Sequence, residues 1–130
     1  MIRYVIDASA AYEYLVRTPA GRRIEDTIHL TIPVTSCLMD VEVISVARRN
    51  LRLGILSEER ARLMIESLKR WPIERIDARE LGTLIWSLRD NFSAYDASYV
   101  SVAMKTGGTL LTLDGKLASA PKIPCPLMLF

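Results

Sequence analysis

An α/β domain built on a largely parallel sheet is the fold class this sequence predicts. Short, nearly continuous apolar runs recur along the chain and read as buried strands. Between them stand longer stretches whose apolar residues recur three and four apart, as on one face of a helix. The 130 residues hold no linker, repeat or low-complexity segment, so they are expected to form one domain, 1–130.

Ile2 to Ile6 is apolar except for Arg3 and Tyr4 and suits a first strand. Asp7-Ala8-Ser9 follows, then helical sequence to about Arg17, with Ala11, Tyr14 and Leu15 on one face. Thr18-Pro19 opens a second helix that runs from about Gly21 to Ile28. Leu30 to Val34 reads as strand two, with Pro33 marking an irregular end. Thr35 or Ser36 can cap a third helix that reaches Leu53 and stops at Gly54. Ser57 caps a fourth, with Ala61, Met64, Ile65 and Leu68 inward and Glu58/Arg62 and Glu66/Arg70 as wet-side pairs. Trp71-Pro72 ends it, and Ile73 to Ile76 is a weak third strand. Asp77 caps a fifth helix, with Ala78, Leu81, Leu84, Ile85 and Leu88 inward. Ser93 caps a sixth, from Ala94 to about Thr106, closed by Gly107-Gly108. Thr109 to Leu113 is strand four, Asp114-Gly115 turns into a short helix, and Pro126 to Phe130 is a last apolar strand.

Composition narrows the function classes. Half the residues are apolar and 25% are charged, enough apolar matter for a true core. No run of roughly eighteen apolar residues exists, so no membrane-spanning helix is expected. Met1-Ile2-Arg3 leads straight into a strand, without the apolar region and cleavage site of a signal peptide. Cys37 and Cys125 fit neither a metal spacing nor a disulfide framework, and reduced, partly buried thiols in a cytoplasmic protein are expected. A net charge of +2 and a pI near 8.7 are compatible with a nucleic-acid ligand, and equally with ordinary solvated arginines.

Four carboxylates stand out. Asp7 and Asp114 each follow a strand-like run. In open parallel sheets, ligands sit beyond the carboxyl ends of the strands, where strand order reverses. If strands one and four are neighbours there, the two acids converge. Each alone is equally explained as a helix N-cap. Glu42 interrupts Val41-Glu42-Val43-Ile44-Ser45-Val46-Ala47, a helical stretch so apolar that it is expected to be mostly buried. A carboxylate inside such a helix is paired, protonated or bound to metal, unless a narrow wet strip lets it reach water. Ser45 and Arg49 share its face, Ser45 as a hydrogen-bond donor and Arg49 within reach of a phosphate or simply solvated. Arg48, Arg49 and Arg52 form a candidate basic patch. Asp96, three residues after Ser93, matches a capping box as well as a metal ligand.

Two carboxylates about 5 Å apart at an effective dielectric of about 20 repel by roughly 3 kcal/mol. Four gathered acids therefore call for protonation or a cation. An oxygen-only site selects Mg²⁺ or Mn²⁺. Such a site activates water against a phosphodiester.

Rival signatures are missing. His29 is the only histidine, so triad chemistry has a single candidate residue at a helix end. There is no GxxxxGK[ST] and no GxGxxG, and Gly107-Gly108 is a helix stop. A haloacid-dehalogenase-like phosphatase wants a second Asp where Ser9 stands, and a receiver-like domain wants an acidic pair near the first strand.

Four stretches in order resemble the PIN-domain ribonucleases, specifically VapC-type toxins of prokaryotic toxin–antitoxin pairs. Tyr4-Val5-Ile6-Asp7-Ala8-Ser9-Ala10 resembles the family's opening strand and first acid, and Val41-Glu42-Val43 its second. Tyr95-Asp96-Ala97-Ser98-Tyr99-Val100 with Ala103 is similar to the motif of the third acid, and Leu111-Thr112-Leu113-Asp114-Gly115-Lys116-Leu117-Ala118 to the fourth segment. Ser45 stands where the family often has Asn.

The resemblance implies an α/β/α sandwich with a central, mostly parallel five-stranded sheet. It implies Mg²⁺- or Mn²⁺-dependent endoribonuclease activity that inhibits translation when the toxin is free. Asp7, Asp96 and Asp114 would hold the metal, with Glu42 on a second metal or the attacking water. Ser9 and Thr112 would donate hydrogen bonds to the carboxylates. The implied partners are RNA, a VapB-type antitoxin and a second copy of the chain, with Trp86 a candidate for that interface. The alternatives are a catalytically silent PIN module or a DNA-directed relative.

Overall fold

The computed structural model describes residues 2–130, so Met1 lies outside the described residues. Five strands form one all-parallel sheet in the order β3-β2-β1-β4-β5: β1 is Tyr4–Ile6, β2 Val34–Ser36, β3 Glu74–Ile76, β4 Thr109–Thr112 and β5 Leu127–Leu129. Between β1 and β2 run α1 (Ala8–Val16) and α2 (Pro19–Ile28), and between β2 and β3 run α3 (Met39–Arg52) and α4 (Glu58–Arg70). After β3 come α5 (Ala78–Ser87) and α6 (Ala94–Thr106), and α7 (Gly115–Ala118) follows β4.

The layering follows from handedness. Parallel crossovers are right-handed. Passing from β1 to β2 to β3 moves the chain one way along the sheet, so α1 to α4 share a face, and they pack on one another there. The return from β3 to β4 runs the other way and carries α5 and α6 to the opposite face, where α6 covers β1, β2 and β4. Strand order therefore reverses between β1 and β4, which pair with Val5 opposite Leu110 and Ile6 opposite Leu111. The core lies on both sides of this central pair: Val5, Ile6, Leu110 and Leu111 are fully buried, with Ile24, Val43 and Met64 on one side and Val100 and Val102 on α6.

Caps set the helix starts. Thr18 accepts from Gly21 N (3.1 Å), Ser57 from Arg60 N (3.2 Å), Asp77 from Arg79 N (2.8 Å) and Ser93 from Asp96 N (3.1 Å). Each such cap contributes about 1 kcal/mol. Gly107, at φ 67°, closes α6 in the left-handed region that favours glycine.

Several expectations need correcting. Strand two lies at Val34–Ser36, later than Leu30–Val34: Leu30 takes a left-handed φ of 62°, and Pro33 has no N–H to give a ladder. Thr35 and Ser36 are consequently strand residues rather than caps. Thr35 donates to Ile6 O (2.6 Å) and Ser36 accepts from Leu38 N (3.2 Å), while α3 begins with no side-chain cap.

The third helix is not buried nearly all round. Val43 and Ala47 face the core, but Val41 is 70% and Ile44 44% exposed. α3 packs on α1 and α4 with its other side, and among the described residues this side stays exposed. On α4 the charges pair at i,i+3 rather than i,i+4: Arg62 meets Glu59 at 2.7 Å and Lys69 meets Glu66 at 3.8 Å. Both separations are neighbours on a helix surface. Both cysteines are free; Cys125 is half-buried, whereas Cys37 is exposed.

Candidate active site

Asp7 directly follows β1 and caps α1, and its carboxylate is buried at the switch point of the sheet. Oδ1 accepts from Ala10 N (2.9 Å) and from Ser9 Oγ (2.6 Å), and Oδ2 accepts from the Thr112 hydroxyl at the end of β4. The two hydroxyls are fixed in turn. Leu113 N donates to Ser9 Oγ and Asp114 N to Thr112 Oγ1, both at 2.9 Å. Asp7 is thus at once a cap and the centre of a polar joint between β1 and β4. Burial pushes its pKa up to about 6, against the lowering effect of these hydrogen bonds, and the negative charge of Asp114 adds to the rise.

Asp114 caps α7, with Oδ1 accepting from Lys116 N (2.9 Å) and Leu117 N (3.4 Å), while Oδ2 takes no protein donor. Asp96 stands in the first turn of α6. Its backbone N–H donates to Ser93 Oγ, but its carboxylate makes no return bond, so only half of a capping box is present. The carboxylate stays free, and burial followed by the charge of Asp114 raises its pKa.

Glu42, half-buried in the first turn of α3, accepts a 2.5 Å hydrogen bond from the Tyr99 hydroxyl. Burial, and then this bond, push the Tyr99 pKa far above the ordinary phenol value. The tyrosine hydroxyl also feels the negative charges of Asp7 and Asp96. All four acids therefore share one electrostatic neighbourhood, and none forms an ion pair within 4.0 Å among the described residues.

Ser9 and Thr112 bond Asp7 directly. Ser45 does not join them: it is exposed and makes no side-chain hydrogen bond among the described residues. The partner Glu42 does have, Tyr99, was visible in sequence only as part of a motif. Its i+3 spacing from Asp96 put both on one face of a helix, and that is the signal that points to it. His29 is exposed at the end of α2, beside Tyr14 and Trp71 in a cleft that contains none of the acids.

The donor set suits a hard divalent cation. It is all oxygen, it lacks a balancing cation, and Asp96 and Asp114 keep unengaged carboxylate oxygens. Among the described residues, however, no three acid, histidine or cysteine side chains already close on one point as ligands. Both Asp7 oxygens and Glu42 Oε1 accept from protein donors.

The family model described as PIN domain matches residues 4–123. A VapC ribonuclease of Mycobacterium bovis is 32% identical over 123 residues, spanning 95% of this chain and 94% of its own length. Ribonuclease VapC1 of Mycobacterium tuberculosis is 33% identical over 131 residues, spanning 96% of each. The crystal structure of VapBC2 from Rickettsia felis, bound to a DNA fragment from their promoter, superposes over 100% of this chain and 99% of its own, with TM-score 0.66 and 16% identity. At that identity the likeness speaks for the fold.

Proposed function

This chain belongs to the PIN-domain family, in its VapC branch, and on that footing we propose that it is a divalent-metal-dependent endoribonuclease toxin that inhibits translation when free of its antitoxin. One observation carries the reading. Four carboxylates without cationic partners gather where the order of a parallel sheet reverses, the position at which such sheets bind their ligands.

Asp7, Asp96 and Asp114 would hold Mg²⁺ or Mn²⁺, with Glu42 beside them. When bound, the ion supplies an activated water and neutralises charge on the scissile phosphate. The chain's own groups prepare the place. Ser9 and Thr112 orient the Asp7 carboxylate, the first turn of α7 holds Asp114 by Oδ1, and Tyr99 holds Glu42 against α6. Asp96 sits at the positive end of a helix dipole, which favours its ionised form.

Single-stranded or looped RNA is the substrate class in this reading, because unstacked bases can be splayed out and read by a protein surface. The partners in this reading are a VapB-type antitoxin and a second copy of the chain. The uncovered apolar side of α3 supports a protein partner. No helix among the described residues is long and apolar enough to cross a membrane, and action in the cytoplasm belongs to the same proposal.

Asp7→Asn and Asp96→Asn test it directly. Each is expected to reduce Mn²⁺-dependent cleavage of single-stranded RNA by roughly 100-fold or more, with an unchanged circular dichroism spectrum. Undiminished cleavage by either variant would overturn the assignment.

A further inference from the structure

Beside the acids lies a cleft of about 240 Å³ between α1 and α3. Its lining includes Ser9, Tyr12, Arg49, Asn50 and Leu113. Ser9 is the residue whose hydroxyl bonds Asp7, and Leu113 directly precedes Asp114, so the cleft opens onto the carboxylate cluster.

The cation in this cleft is unclaimed. Arg3, Arg62, Lys69, Arg75 and Arg79 each have a carboxylate within 4.0 Å, whereas Arg49 forms no ion pair and no side-chain hydrogen bond among the described residues. Glu13, the one carboxylate on the cleft, is held instead by the Thr18 hydroxyl at 3.0 Å. Asn50 is fixed by a 3.0 Å bond from its amide to Tyr12, which keeps that wall in place.

Helix geometry separates Arg49 from its neighbour. Seven residues from Glu42, it lies on the same face of α3, about 10.5 Å further along the axis. Arg48, one position earlier, turns about 100° away and lines the apolar groove between α3 and α4 with Ile44 and Leu51. Arg52, three residues from Arg49 and four from Arg48, neighbours both on the helix surface. Arg48 borders the α3–α4 groove, whereas Arg49 borders the cleft that adjoins the acids.

A strand of phosphates meets repulsion as it nears four carboxylates. An unpaired cation two helical turns away offsets that repulsion for a phosphate next to the scissile one, and a planar guanidinium suits a phosphate's oxygens. We propose that the Arg49 cleft is a subsite for a phosphate of single-stranded RNA flanking the cleaved bond, with Arg49 as its positioning residue. This rests on the ribonuclease reading above.

The test compares Arg49→Ala, Arg49→Lys and Arg48→Ala in Mn²⁺-dependent cleavage of a single-stranded oligoribonucleotide, with binding to the same RNA measured over a salt series. Arg49→Ala is expected to raise KM about tenfold at nearly unchanged kcat and to lower the salt slope of binding by about 1. Arg49→Lys should recover part of the loss, and Arg48→Ala should match wild type. If KM and salt slope stay unchanged in Arg49→Ala, or Arg48→Ala is affected equally, the subsite is wrong while the ribonuclease reading stands. If the wild-type protein neither binds nor cleaves RNA, both fall together.

Discussion

Asp7 stays in place at an energetic cost that pH can reveal. Its folded-state pKa is raised to about 6 by burial, above the unfolded value of about 3.9. Between those values the folded chain keeps a proton that the unfolded chain has released, so stability declines as pH rises through the window. Asp96 is shifted in the same direction. In EDTA, the urea-unfolding free energy should fall by about 3 kcal/mol from about pH 4 to just above 6. Asp7→Asn should flatten that slope and be the more stable protein at neutral pH, while inactive. A wild-type curve that is flat, or that rises, would contradict this. At this scale the bonds from Ser9 and Thr112 to Asp7 are legible in the sequence, because these residue types at strand ends carry a local signal. Sequence reading placed Ser45 beside Glu42 and overlooked Tyr99 as its partner, because both assignments depend on how α3 faces α6, a relation that no local pattern encodes.

Among the elements, the approach of α2 to α1 is the least forgiving. A Cβ on Gly21 would lie 1.9 Å from the Glu13 carbonyl oxygen, so any side chain there forces the two helices apart. Gly21→Ala should cost about 3 kcal/mol. Gly82→Ala in α5 meets nothing within 4 Å and should instead stabilise by about 0.5–1 kcal/mol. Thermal melts of the two variants check the contrast. All seven helices were legible from periodicity and caps, since Ser57, Asp77, Ser93 and Gly107 act locally. Strand two was misplaced because its identity is set by neighbours: Thr35 and Ser36 are good cap residues that pairing with β1 and β3 claimed instead. The exposed side of α3 was misread for a related reason. An apolar sequence shows what a helix can bury, and only the assembled layers show what is available to cover it.

At the scale of the whole molecule, the acids lower the stability of the metal-free protein and a bound cation should restore it. Mn²⁺ at about 100 times its dissociation constant adds about 2.7 kcal/mol to a protein that binds it only when folded. Millimolar Mn²⁺ should therefore raise the Tm of the wild type by several degrees, and that of Asp96→Asn by clearly less. Equal shifts would mean that Asp96 takes no part in binding the ion. Strand order explains how side chains so far apart in sequence come to share one neighbourhood: the crossover from β3 back to β4 sets Thr112 and Asp114 next to Asp7. The joint between Asp7 and Thr112 spans 105 positions of the chain. A ribosome making this protein has synthesised Asp7, Glu42 and Asp96 well before the fourth acid exists, and β4 must leave the exit tunnel before it can insert beside β1. On the proposed reading, a growing chain would lack the complete set of acids until β4 and the residues after it have emerged, and a prematurely terminated one would never gain it.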